Sequence, residues 1–471
     1  MVVMELKNSK NNIIYIIYLI IFELSIIFPS KSTFIMFILF LINIVATMLN
    51  KKNSICALMS SFIMSNELLA LINFIIILLI SDKKKIAKRK TTYSALFLCF
   101  IIMNSIISGI ISDTLINVVF STCYFAIMIF IIKQMDQYCL DEIELKKIIR
   151  KFILVEFVIF LTILFKYRHF IPGDINYGTF MNAHLFGNWL IIMIIYLIGK
   201  NSKLSNLKKE LIYIILAMIM LYYSDSKALL LCVAIYVILS PILGIYKEYK
   251  SKLITKIIIA IVIGMYIIIP IIKTDMMKTL VYNKANNYYK YIYDNRWNYK
   301  FKYFDGTLYN ELNGARFFVG FGLGQYGSRF ANLFTYDVSY RTDNFLNNIV
   351  KNNFKPHHNE NYVKYISFYD KNFVDEIKWR SAVLTYPFNS FIAIIGEIGW
   401  LGLTFLCIYI EKIYKKSKYK NILLYFVLIC LFDNYIDMFM VMGLVLFFMS
   451  IKEDNQIYTK KLNDDNERIK N

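Results

Sequence analysis

The chain has 471 residues, of which 58% are hydrophobic, and its formal net charge is +20. This composition excludes a set of water-soluble domains, because several apolar runs approach the ~20 residues of a bilayer-spanning helix. The excess lysine lies in short connections between those runs, which favours a membrane-orientation signal over a nucleic-acid-binding surface. We therefore predict an all-α polytopic membrane protein with no nucleic acid partner.

Residues 1–271 are predicted to form an N-terminal bundle of transmembrane helices. The first apolar run, 13–28, is followed by no small-residue cleavage site, so we interpret it as a retained helix and not a signal peptide. The run at 53–80 lies between two lysine-rich stretches and allows two interpretations. It is either one long helix or a hairpin that turns at residues 65–67, and we favour the hairpin.

Lysine-rich connections alternate with lysine-poor ones along the chain. The lysine-rich connections are 82–90, 146–151, 200–209, 247–256 and 412–420. The positive-inside rule places these connections in the cytoplasm. Counting helices from there gives 12 to 14 spans, puts both termini in the cytoplasm, and leaves the polar segment 272–387 as one large extracytoplasmic loop.

The C-terminal part is predicted to contain further transmembrane helices at 388–450 and a charged cytoplasmic tail at 451–471. Within the run 421–450 lie Asp433, Asn434 and Asp437. Charge at mid-membrane is costly, so we predict a turn near the outer surface at this point.

The large loop holds five of the chain's nine arginines, whereas the predicted cytoplasmic connections use lysine almost exclusively. A guanidinium group binds phosphate oxygens in pairs, which suits a pyrophosphate at the membrane surface. The alternative is that these arginines pair with acidic residues of the same loop. The loop arginines are Arg296, Arg316, Arg329, Arg341 and Arg380, and Arg168 lies in another predicted outer connection.

For other residues of the loop, the sequence allows a functional interpretation, as ligand or catalytic groups, and a structural one. The stretch 319–327, VGFGLGQYG, contains Gly322 and Gly324 and can form a backbone nest for an anion. Trp297 and the many tyrosines can stack on sugars or pack at the interface. His357 and His358 can serve as a general base or simply be solvated.

A helix is predicted to start near residue 387, with Asn389 in its first turn and Glu397 inside the span. We expect Glu397 to brace this helix and not to act as a base. The seven cysteines lie outside the loop, and no Cys/His spacing indicates zinc. No metal or cofactor is implied.

Four segments together resemble the superfamily of O-antigen polymerases and O-antigen ligases of the bacterial envelope. The segment 178–187, GTFMNAHLFG, is similar to a family segment that opens a mid-chain helix. The segment 224–231, SDSKALLL, is similar to a Ser-Arg-Gly helix start, with Lys227 in the arginine position. Arg296-Trp297 before the Gly-x-Gly stretch, and the helix at 388–403, complete the set.

The resemblance implies a metal-independent glycosyltransferase of the cytoplasmic (inner) membrane. Its partners would be membrane lipids and a glycan carried on undecaprenyl pyrophosphate, with a chain-length regulator and a flippase as further partners. Arg296, Arg316 and Arg380 would bind pyrophosphates, and Asn389 would orient the acceptor. Supporting contacts to the substrate would come from Lys227, Arg168, Arg329, Gly322, Gly324, Trp297, His357 and His358.

The expected activity is polymerisation of repeat units into O-antigen, capsule or exopolysaccharide. Phe388 occupies the position where ligases carry a histidine before Asn389. This departure favours a polymerase over a ligase that would transfer finished glycan to a lipid or protein. A lipid-linked glycan exporter is the alternative from another class.

Overall fold

The computed structural model of the protein describes a large part of the chain. The described residues are 13–81, 92–111, 115–135, 138, 142–168, 176–180, 182–199, 204–224, 227–242, 312, 314–326, 389–436 and 438–451. Within this part the chain is mostly helical and contains no strand.

The helices of the first half follow one another with short connections. They are α1 (Ile13–Ile27), α2 (Ser32–Leu49), α3 (Ser54–Ser61), α4 (Glu67–Ile80), α5 (Thr92–Ile111), α6 (Leu115–Met135), α7 (Glu142–Tyr167), α8 (Ala183–Gly199), α9 (Leu204–Tyr223) and α10 (Lys227–Ile242). The later helices are α11 (Ala315–Val319), α12 (Ser390–Lys416), α13 (Lys420–Phe432) and α14 (Leu444–Met449), with a π-helical turn at Phe439–Gly443.

Three helical stretches of the described part are long and apolar enough to cross a membrane. They are Pro29–Leu49, Val118–Met135 and Ser390–Lys415. Large apolar side chains also remain exposed on the outside of the bundle, as on α2, where Phe34 and Leu49 are 65% and 82% exposed. Such faces suit hydrocarbon as the solvent, and the architecture is compatible with the predicted all-α membrane protein.

The centre of the bundle is formed by α8 and the C-terminal stretch. Every residue of α8 from 185 to 197 is buried, and so is every residue from Phe439 to Met449. A helix that is apolar on all sides is stable where it is surrounded by other helices. In this protein α8 packs against α9 and α13, while α13 packs against α10, α12 and α14.

The run at 53–80 is interrupted, as predicted. Helix α3 ends at Ser61, and α4 begins at Glu67. Asn66 caps α4, since its side-chain oxygen accepts a hydrogen bond from the Leu69 amide at 3.0 Å. With eight residues, α3 is only about 12 Å long, which is too short to cross the ~30 Å hydrocarbon core alone.

The last apolar run is interrupted as well, which confirms the turn predicted at Asp433 and Asn434. Asp433 ends α13 in extended backbone, with φ −156° and ψ 169°. The two interruptions meet, because the Glu67 carboxylate accepts a hydrogen bond from the Phe439 amide at 2.5 Å and the Phe62 ring lies 5.5 Å from the Phe439 ring. Non-helical backbone is thus buried in protein, which is where a membrane bundle tolerates it.

Helix ends that follow or precede lysine-rich connections contact one another. The Arg150 Nε donates to Glu210 at 2.8 Å and joins α7 to α9. Lys418, in the connection from α12 to α13, donates to Glu142 at the start of α7 at 3.0 Å.

The opposite helix ends also contact one another. Lys166 near the end of α7 donates to the Ile26 carbonyl of α1 at 2.5 Å. Asn176 donates to the Tyr223 carbonyl at the end of α9 at 3.0 Å. Helices α1, α7 and α9 therefore run in the same direction, which is compatible with the lysine pattern, and the assignment of the lysine-rich end to the cytoplasm stays a prediction.

Candidate functional site

The structure describes about half of the predicted site residues. Arg168, Arg316, Gly322, Gly324 and Asn389 lie in the described part, and Lys227 is the first residue of α10 although its side chain lies outside that part. The remaining predicted residues lie outside the described residues. They are Arg296, Trp297, Arg329, His357, His358 and Arg380.

The glycine-rich turn, residues 320–326, is built into the bundle beside α5 and α12. Gly320, Gly322 and Gly324 all have positive φ, at 73°, 105° and 75°. A side chain disfavours these angles. At Gly322 the space is also filled, since a Cβ atom there would lie 1.8 Å from the Ser108 Oγ of α5. The three glycines therefore allow the positive φ angles of the turn, and Gly322 also allows the turn to approach α5 closely.

Helix α12 is kinked where it receives this turn. Gly399 has φ 66° and ψ −175°, which interrupts the regular helix. In the preceding turn, the Gly396 carbonyl accepts a hydrogen bond from the Phe321 amide at 2.7 Å, and the Glu397 carbonyl accepts one from the Gly322 amide at 2.9 Å. Backbone amides of the turn thus donate to carbonyl groups of a broken helix, which satisfies buried backbone groups of both segments.

The Glu397 side chain bonds to the same turn. Its Oε2 accepts a hydrogen bond from the Gly324 amide at 3.0 Å, and the residue is 5% exposed. The side-chain group that accepts from this glycine-rich backbone in the structure therefore belongs to the chain itself. The expectation that Glu397 braces α12 fits this geometry, while ligand binding by Gly322 and Gly324 stays a prediction.

Helix α5 holds the other side of the turn. The Asn104 amide group donates to the Val319 carbonyl at 2.8 Å, and its oxygen accepts from the Leu323 amide at 3.3 Å. The Ser108 hydroxyl donates to the Asn104 carbonyl at 2.7 Å. Our sequence analysis missed this pair. The available signal was two polar residues spaced four apart, hence on one face of an apolar helix.

Arg316 lies at the entrance of the turn, on the short helix α11. Its side chain is exposed, and its guanidinium carbon lies 4.6 Å from the centre of the Phe321 ring. The neighbouring Phe317 and Phe318 are 42% and 58% exposed. This arrangement presents a permanent positive charge beside apolar rings, which is suited to an anion that carries a hydrocarbon chain.

Asn389 has a structural role at the start of α12. Its side-chain oxygen accepts hydrogen bonds from the Phe391 and Ile392 amides at 2.8 and 3.2 Å, and its nitrogen donates to the Leu431 carbonyl at 3.1 Å. These bonds satisfy the free amides at the helix start. The helix begins at Ser390, three residues after the predicted position, with Asn389 as its cap and not in its first turn. The proposed contact of Asn389 with an acceptor stays a prediction.

A second buried carboxylate lies on α7. Glu156 is fully buried, and it accepts hydrogen bonds from the Thr179 hydroxyl at 2.6 Å and the Thr179 amide at 3.2 Å. Gly178 has φ 55° and leaves no room for a side chain, because a Cβ atom would lie 2.5 Å from the carboxylate. Arg168, exposed and with φ 49°, follows α7 directly, whereas Arg316 lies on α11, so the two described arginines of the predicted site belong to different segments.

These features define the protein as mostly helical, with three helical stretches of membrane-spanning length in its described part. No protein-family model matches the sequence, and no curated protein matches it. The resemblance to the O-antigen polymerase and ligase superfamily therefore rests on the four short segments alone.

Proposed function

We propose that the protein polymerises oligosaccharide repeat units, carried on undecaprenyl pyrophosphate, into a surface polysaccharide. The product would be an O-antigen, a capsule or an exopolysaccharide, made at the outer face of a bacterial cytoplasmic membrane. The observation that carries the proposal is the position of Arg316. This exposed guanidinium sits on a segment whose next residues are bonded into the helix bundle.

The proposed glycosyl transfer requires a cation that is held in a fixed position at the level of the lipid headgroups. A polyprenyl chain in the bilayer holds its pyrophosphate at the membrane surface, and the pyrophosphate gains charge as it leaves the sugar. A preorganised guanidinium stabilises that charge without a metal ion. Two observations support Arg316 in this role: its guanidinium rests on the Phe321 ring, and Phe317 and Phe318 are exposed beside it, as aromatic rings at a membrane interface would be.

The other roles follow from the resemblance. Arg296 and Arg380 would join Arg316 in binding pyrophosphates, and Lys227 would approach from the start of α10. Because the Asn389 side chain caps α12, the proposal rests on Arg316 more than on Asn389.

The exporter has one observation in its favour. The interruptions between α3 and α4 and after α13 meet through Glu67 and Phe439, and transporters commonly build their sites from interrupted helices. The ligase gains no observation of its own.

A complemented deletion strain tests the proposal. A strain that lacks the chromosomal gene receives the wild type, Arg316→Lys, Arg316→Ala or the control Lys415→Ala, which changes an exposed lysine at the other end of α12. We expect equal amounts of protein in the membrane, a normal glycan ladder for the control, and shortened glycan for both arginine variants, because lysine lacks the planar fork.

The deletion itself separates the three functions. Single repeat units on the surface support the polymerase, whereas long polymer that is not attached to its acceptor supports the ligase. Lipid-linked repeat units trapped in the cytoplasmic leaflet support the exporter. A wild-type ladder from both arginine variants contradicts the role of Arg316.

A further inference from the structure

We propose that Glu397 is a positioning residue, which holds the glycine-rich turn on α12 and thereby sets the orientation of Arg316. The functional part of this inference rests on the proposed role of Arg316. The geometric part does not, since it concerns only how the turn is held.

The first argument is the location of the carboxylate. Glu397 lies about two turns inside α12, is 5% exposed, and directs Oε2 to the Gly324 amide at 3.0 Å. A charged group inside a membrane protein is costly unless it has a specific partner. The backbone amide is such a partner, and it belongs to the segment that comes from the predicted outer loop.

The second argument is the convergence of bonds on one helical turn of α12. The Gly396 and Glu397 carbonyls accept from the Phe321 and Gly322 amides, and the Glu397 side chain accepts from Gly324. Three amides within four residues of the turn are thus held by two consecutive residues of α12. The Glu397 side chain is the member of this set that a substitution can remove without altering the backbone.

The third argument connects this set to Arg316. The Gly320 amide donates to the Arg316 carbonyl at 2.8 Å, so the turn begins directly on the last residues of α11. The Arg316 guanidinium rests on the Phe321 ring at 4.6 Å, and that ring stacks on the buried Tyr326 at 5.2 Å. A shift of the turn therefore moves the surface on which the guanidinium lies.

Crosslinking in membranes tests the geometry. Phe317 and Trp400 have ring centres 6.1 Å apart and are 42% and 39% exposed, so both positions accept a short bis-maleimide after Phe317→Cys and Trp400→Cys. The double-cysteine protein is compared with versions that also carry Glu397→Ala, Glu397→Gln or Glu411→Ala. Glu411 is the matched control, because it lies on the same helix and its side chain is 51% exposed.

We expect Glu397→Ala to lower the crosslinking yield severalfold and Glu411→Ala to leave it unchanged. Glu397→Gln should restore most of the yield, because an amide oxygen still accepts from the Gly324 amide. Equal yields for Glu397→Ala and the unsubstituted double-cysteine protein would overturn the proposal. Peptide mass spectrometry identifies the crosslink against the native cysteines.

A second variant guards against simple misfolding. Gly399→Ala keeps Glu397 but disfavours the kink, since φ is 66° and a Cβ atom would lie 2.2 Å from the Phe318 carbonyl oxygen. The same loss of crosslinking is expected at normal protein levels in the membrane, and an undiminished yield would contradict the proposed clamp.

The glycan ladder of the complemented strain then distinguishes the two proposals. Shortened glycan in Glu397→Ala, with recovery in Glu397→Gln, supports positioning of Arg316. A normal ladder in Glu397→Ala, where Arg316→Ala shortens the glycan, overturns the positioning role. A normal ladder in Arg316→Ala overturns the proposed role of Arg316, while a loss of crosslinking in Glu397→Ala would still support the clamp.

Discussion

At Gly322 the backbone and a neighbouring helix together exclude a side chain. Its φ is 105°, and the Ser108 Oγ and Cβ would lie 1.8 and 2.4 Å from an added Cβ atom. Neither atom is the end of a long flexible chain, so relief requires α5 or the turn to move. Gly314 offers a comparison, because its φ is also positive, at 55°, but nothing lies within 4 Å of its Cβ position.

We therefore expect Gly322→Ala to destabilise the protein more than Gly314→Ala. Left-handed backbone costs both variants roughly 1–2 kcal/mol, and overpacking adds about 1–3 kcal/mol at Gly322. Thermal unfolding of the detergent-purified proteins measures the difference. Ser108→Gly should recover part of the loss in Gly322→Ala, and equal shifts for the two alanine variants would contradict the packing argument.

Among the elements, α7 and α9 are joined at their lysine-rich ends by one buried carboxylate. The Glu210 side chain is 1% exposed and contacts Lys146 at 2.9 Å and the Arg150 Nε at 2.8 Å. The Arg150 guanidinium also lies 5.6 Å from the centre of the Tyr213 ring. A buried carboxylate that loses a bonded cation keeps its desolvation cost, so this contact stabilises the pairing of the two helices.

The variant Arg150→Ala should lower the free energy of unfolding by about 2 kcal/mol, the usual scale for hydrogen bonds to charged groups. Lys147→Ala is the matched control, since Lys147 is an exposed residue of the same helical turn. Denaturation in mixed micelles gives both values. Indistinguishable unfolding curves for the two variants would mean that the contact between Arg150 and Glu210 does not stabilise the protein.

For the whole molecule, the decisive property is which end of the bundle faces the cell interior. Every functional argument places Arg316 outside, and the contacts between helix ends fix only that α1, α7 and α9 run in the same direction. Helix α2 offers a matched pair of positions, because Lys31 and Lys52 flank it and are both exposed.

We expect a membrane-impermeant maleimide to label Lys31→Cys in intact cells and Lys52→Cys only after the membrane is opened. The wild-type protein, with its native cysteines, gives the background. The opposite pattern would place the glycine-rich turn and Arg316 at the cytoplasmic face. The proposed function would then be wrong, although the contacts of the turn would remain.

The helical class and two interruptions of the helices were predictable from the sequence, while the count of 12 to 14 spans stays a prediction. The apolar run at 13–28 becomes α1 with nearly the same bounds, because length and hydropathy are local properties. Both predicted breaks occur where polar residues interrupt an apolar run, at Asn66 and at Asp433. The Asn66 side chain caps the start of α4, and the Asp433 side chain accepts from the Asn434 amide just after α13, so both breaks involve local side-chain bonds.

The site was predictable only in part. The glycine pattern at 319–327 indicates positive φ, and the structure has it at Gly320, Gly322 and Gly324. The partners of this backbone were not predictable, because Asn104 lies 215 residues from Val319, and Glu397 lies 73 residues from Gly324. No periodicity connects residues so far apart.

By itself, the sequence determined that the chain is helical, apolar enough for a membrane, and divided by one long polar segment, since these properties follow from local composition. Only the tertiary structure decided that the glycine-rich turn of that segment bonds to α5 and to the kink of α12, with Arg316 exposed at its entrance. That outcome depends on which helices pack side by side, and packing is settled by the fit of distant surfaces.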